Sequence, residues 1–193
     1  MMLNLTLRII LATAFLHFKT KAIRMKKWIL AGAVCAVLFT ACDKDDDNND
    51  VNSTDRTFVP MASISNNAEI MAGQLAATKA QSSAVKAYGQ MMVMDHTTAQ
   101  QDLKSRASSA GLDVSDTVDA MHQQLMAHLN SLDGYSFDTA YLNSQVMDHT
   151  NSINLFNTEV SSGSNQNLRN YASTYLPKLQ MHFKEADSLR KTL

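Results

Sequence analysis

The chain has 193 residues, with 17 Lys and Arg against 18 Asp and Glu, a formal net charge of −1, and 45% apolar residues. Without a basic surplus it offers no electrostatic footprint for nucleic acid, which is therefore excluded as an expected partner. Two cysteines, two prolines and six glycines leave little for a disulfide framework or a turn-rich β fold and direct the reading to helices.

In chain order, residues 1–24 read as an upstream extension, because a signal-like segment starts at Met25. Residues 25–41 open on Lys26 and Lys27, continue through an apolar run from Trp28, and end on the small residues Thr40 and Ala41 before Cys42. This resembles a bacterial lipoprotein signal peptide, which implies cleavage and lipidation at Cys42 and a membrane partner reached through the lipid. The run is shorter than the ~20 residues needed to span a bilayer, so a cleaved signal is expected rather than a transmembrane helix. Residues 42–56 are acidic and lack apolar periodicity, which predicts a hydrated tether. Lys44-Asp45-Asp46 resembles the surface-export signal of Bacteroidetes lipoproteins, so the expected location is the outer membrane, facing the periplasm or the surface. Six of the 17 basic residues and none of the 18 acidic ones precede Cys42, so the processed chain carries 11 against 18, a net −7. Cys35 lies in the signal, which leaves no partner for a disulfide.

Residues 57–193 suffice for one domain with a sizeable core. Apolar periodicity predicts an all-α fold with long helices at about 58 to 81, 83 to 109, 137 to 161 and 166 to 191. The link between the second and third carries its own amphipathic stretch, VSDTVDAMHQQLMAHLNSL, which predicts a short crossover helix. Two hairpins joined by a long connection is the ferritin-like arrangement. Gly111, Gly134 and Gly163 punctuate helix ends, Pro60 suits a first helical turn, and Pro177 is placed to kink the last helix. Gly73 and Gly89 fall nearly level about the first turn, which predicts a close helix approach.

The pentapeptide VMDHT occurs at Val93 to Thr97 and again at Val146 to Thr150. His96 lies on a stripe with Met92, Ala99 and Leu103, His149 with Leu142, Ile153 and Phe156, and His182 with Leu179, Ala186 and Leu189. Glu69 lies with Ala62, Ala72 and Ala76. Glu69 and His96 come level if the first hairpin turns between Ser82 and Ser83; His149 and His182 do so if the second turns between Asn165 and Gln166. Four inward-facing, metal-capable side chains at one height predict a single zinc, copper, iron or manganese ion held by Glu69, His96, His149 and His182. A buried carboxylate needs a partner, so the alternative is a metal-free Glu/His hydrogen-bond network that fixes helix register. Met91, Met92, Met94, Met147 and Met181 cluster near the histidines, which would suit cuprous copper, but methionine at helical spacing is ordinary core filling. Asp95 and Asp148 lie about 100° around the helix from their neighbouring histidines and are expected beside the site rather than in it.

The strings VKAYGQMMVMDH, FDTAYLNSQVMDH and LRNYASTYLPKLQMH, preceded by Glu69, resemble the uncharacterised bacterial ferritin-like family called domain of unknown function 4142. The resemblance covers residues 57–191 and implies a ferritin-like four-helix fold, often exported, with no established reaction. Its pattern falls on Glu69, His96, Asp138, Tyr141, His149 and His182. No Glu-x-x-His occurs, so di-iron chemistry is not expected. Asp138 lies about 16 Å from His149 along the helix, and its expected role is a charge near the helix start with Ser136 as cap. Tyr141 is expected to pack with its hydroxyl satisfied. His122 and His128 fall in the crossover without an assigned role. Two functions fit: an exported metal-binding lipoprotein, or a non-catalytic envelope bundle that binds a protein partner.

Overall fold

A computed structural model describes residues 50–193; the upstream extension, the signal peptide, Cys42 and the start of the tether lie outside the described residues. It is all-helical, with α1 Ser53–Lys79, α2 Ser83–Ser109, α3 Ala120–Asn130, α4 Gly134–Ser162 and α5 Gln166–Thr192, and no strand among the described residues.

Helix α1 starts inside the span expected to be a tether. The side chain of Asn52 accepts from the backbone N–H groups of Thr54 and Asp55, and Asp55 Oδ2 accepts from the Asn52 N–H, a capping box that satisfies the first turn. Pro60 consequently lies within α1, on its exposed side, rather than in its first turn. The first hairpin reverses at Ala80–Ser82 and the second at Gly163–Asn165, close to the expected positions. Gly111 follows α2 with φ 69° and Gly134 opens α4 with φ 58°, left-handed values that favour glycine.

The four long helices pack so that every neighbour pair is antiparallel: α1 on α2 and α4, and α5 on α4 and α2. The start of α1 meets the end of α4, where Asn52 Nδ2 donates to the Ser162 carbonyl, and the end of α2 meets the start of α5 through Arg106 and the Asn167 carbonyl. The end of α2 and the start of α4 therefore lie at opposite ends of the molecule. The connection must run the length of the helices, and α3 forms part of it, packed on α1 and α4.

The interior divides into layers. Phe58, Leu103, Phe156, Leu168 and Tyr171 fill one end, with the Phe58 and Phe156 rings 5.0 Å apart edge to face. Val85, Tyr88, Met92, Leu129, Phe137 and Leu142 fill the other. Each such side chain contributes about 1.5–3 kcal/mol by leaving water. Between the two clusters runs a polar layer containing Asn66, Glu69, His96, His149 and His182, all buried.

Candidate metal centre

Helix α2 supplies His96, α4 His149 and α5 His182, and the three are 3%, 1% and 1% exposed. Their ring centroids are 5.4–5.7 Å apart, and one nitrogen from each lies within 4.8 Å of the others. His149 Nε2 and His182 Nδ1 approach to 3.4 Å.

Hydrogen bonds at the far side of each ring set which nitrogen faces the centre. His149 Nδ1 lies 2.9 Å from the carbonyl of Gln145, one turn earlier on α4, so it carries the proton and leaves Nε2 as a lone pair. His182 Nε2 donates to Asp95 Oδ2 at 2.9 Å, leaving Nδ1 as a lone pair. At His96 the assignment comes through a chain. Gln100 Nε2 donates to the carboxylate of Asp116 at 3.1 Å, so its Oε1 turns to Asn66 Nδ2 at 3.2 Å, and Asn66 Oδ1 then accepts from His96 Nδ1 at 3.0 Å. His96 Nε2 is left buried without a hydrogen-bond partner among the described residues. Three lone pairs thus converge with no protein donor between them.

Burial holds all three rings neutral. His149 is lowered to about 3 by burial and then by His182; His96 is lowered well below its ordinary value by burial, with His149, His182 and Lys178 adding to it. His182 is lowered by burial although Asp95 acts in the opposite direction. At Asp95 burial alone would raise the pKa, but hydrogen bonds from Lys178 and His182 outweigh it and keep the carboxylate charged. A ring nitrogen without its proton is the form that binds a metal. Two nitrogens around a tetrahedral zinc are about 3.4 Å apart when each bond is ~2.05 Å, which matches the His149–His182 approach, so that pair fits an ion, with a nitrogen of His96 within 4.8 Å of both.

Glu69 is in the same layer but stands behind His149. Its Oε1 is 3.5 Å from His149 Nδ1 and its Oε2 accepts from Gln145 Nε2 at 2.7 Å. Burial, reinforced by Asp148, raises Glu69 to about 8, so it is neutral near pH 7 beside a neutral His149 and the contact is not an ion pair.

Asp138 does not act on its own helix. Its two oxygens accept from the backbone N–H groups of Gln81 and Ser82, at 2.9 and 2.8 Å, holding the α1–α2 turn. Tyr141 packs against Phe137 and Tyr88, but its hydroxyl has no partner among the described residues, contrary to expectation. The methionines near the histidines divide: Met92 is core, whereas Met94, Met147 and Met181 are exposed. Asn66, Gln100, Gln145 and Asp116 were not singled out from the sequence. Asn66 one turn before Glu69 and Gln100 one turn after His96 share those residues' stripes, and a polar residue on an apolar stripe was the available signal.

A family model matches residues 40–189, most of the chain. The chain belongs to the DUF4142 family, a domain of unknown function. No curated protein and no solved structure matches. The DUF4142 match spans all three histidines and the groups that orient them.

Proposed function

We propose that this DUF4142 protein is an exported lipoprotein whose ferritin-like four-helix bundle holds one transition-metal ion on His96, His149 and His182. The observation that carries this reading is the convergence of three imidazole lone pairs whose tautomers are set by Asn66, Gln145 and Asp95. Two facing acceptors at 3.4 Å repel unless a cation lies between them. Imidazole donors without thiolate suit zinc, copper, iron or manganese. Glu69, close behind His149 and neutral without an ion, would balance part of the ion's charge by giving up its proton on binding. A bound ion would act as a Lewis acid or redox centre according to the element.

The metal-free reading, a register-fixing core in a bundle that binds a protein, needs one proton shared between His149 and His182. The lowered basicity of both rings opposes it. Mass spectrometry on residues 43–193, purified without affinity tag or chelator, decides between them. About one metal per chain is expected, lost together with thermal stability in His149→Ala. A metal-free protein that gains no stability from added zinc, copper, iron or manganese would overturn the reading.

The outer-membrane anchor rests on the segment before Cys42, with its basic start, apolar run and small residues. Cells fed labelled palmitate should label the wild-type protein and not Cys42→Ala. Equal labelling of the two would remove the anchor.

A further inference from the structure

A cavity of about 200 Å³ opens between α1, α3 and α4, outside the histidine cluster. Its apolar wall comes from Met61 and Leu155 together with Met121 of α3. Its charged and titratable lining is Asp119, His122 and Asp148, and no Lys or Arg faces it. Asp119 is occupied: its Oδ1 accepts from the backbone N–H of His122 and from His122 Nδ1, at 2.9 and 2.6 Å. The nearby hydroxyls of Ser65 and Ser152 are bonded to each other at 2.8 Å. Asp148 remains, 8% exposed, with no hydrogen bond from any described residue. A desolvated carboxylate without protein donors is costly; a proton or water can relieve it, and so can a cation that brings its own N–H groups, for which the methionine-walled space beside Asp148 leaves room.

The occupant is not a bare metal ion. Among the described residues, His96, His149 and His182 form the only group of three or more His, Cys, Asp or Glu side chains close enough to share one. The space is also larger than an ion requires, and methionine walls accept alkyl groups of varied shape.

We propose that this cavity binds a small organic cation, an alkylammonium whose N–H groups engage Asp148 and whose short chain lies against Met61 and Met121. The site is independent of the metal reading.

The test titrates the protein as purified, labelled at methionine methyls, with n-butylammonium chloride and follows the NMR signals. Saturable shifts are expected at Met61 and Met121. Asp148→Asn should weaken binding roughly ten- to a hundredfold, the loss of one charge-assisted hydrogen bond. n-Butanol, of the same length but uncharged, should bind at least tenfold more weakly. Should Asp148→Asn unfold, Met121→Trp at the exposed wall serves instead, and should abolish the shifts while leaving metal content unchanged. Absence of saturation, equal binding of n-butanol, undiminished binding by either folded variant, or displacement of n-butylammonium by an equimolar magnesium salt would each overturn the proposal.

Discussion

An imidazole presents a lone pair on one side only when something on the other side holds its proton, and at His182 that something is Asp95. Asp95 is itself fixed by Lys178 Nζ at 2.7 Å, so the ring, the carboxylate and the ammonium form one line from the core to the surface. Asp95→Asn should lower metal affinity about ten- to a hundredfold, the usual effect of losing a group that orients a ligand. In excess chelator its stability should change by less than ~1 kcal/mol, because the Asp95–Lys178 pair is partly exposed. Competition against a chelator of known affinity measures the first and thermal unfolding the second; equal affinity in the variant would remove Asp95 from the role. The sequence placed Asp95 beside the site by its angle to His96 on the same helix. Its actual partner is on α5, and helical spacing contains no information about which residue of another helix comes opposite. The same limit applies to Glu69, whose height was legible from the turns but whose neighbour proved to be His149 across α1 and α4.

The two hairpins were legible as elements because their signals are local: apolar stripes, polar turns and the level pair of glycines. Gly73 and Gly89 show what that pair does. A Cβ on Gly73 would lie 2.7 Å from the Gly89 carbonyl oxygen, and one on Gly89 would lie 2.8 Å from the Gly73 carbonyl oxygen and from Ala76 Cβ. The backbones of α1 and α2 meet there, and neither neighbouring oxygen can swing away as a side chain could. Helix propensity and packing then predict opposite signs. Alanine in place of a helical glycine gains about 1 kcal/mol by propensity, whereas overpacking costs about 1–3 kcal/mol. Packing should win because the obstructing atoms are backbone, so Gly89→Ala should lower the urea midpoint, and a raised midpoint would mean that the helices separate easily. The start of α1 was less legible, since its cap is built by Asn52 and Asp55 within an otherwise acidic polar run that resembles a solvated linker.

Each hairpin's turn is fastened by an aspartate of the other hairpin, which ties the two hairpins of the described bundle together. Asp138 of α4 holds the backbone of the α1–α2 turn, and Asp55 of α1 accepts from Ser164 and Asn165 in the α4–α5 turn. Beside Asp55 lies Glu159, which is also buried. Burial first, and then Asp55, raise Glu159 from its ordinary 4.5 to about 8. The folded protein therefore keeps a proton that the unfolded chain gives up near pH 4.5. Stability from this group is full below that pH, declines as the unfolded state ionises, and is lost as pH rises through about 8. Glu159→Gln holds the neutral shape at every pH and removes this slope. Other groups, Glu69 among them, also titrate, so the informative quantity is the difference in melting temperature between variant and wild type, followed from pH 5 to pH 8.5. The difference should move in favour of the variant as pH rises. A gap that stays constant across that range would show that Glu159 is already ionised in the folded protein and that Asp55 tolerates its charge.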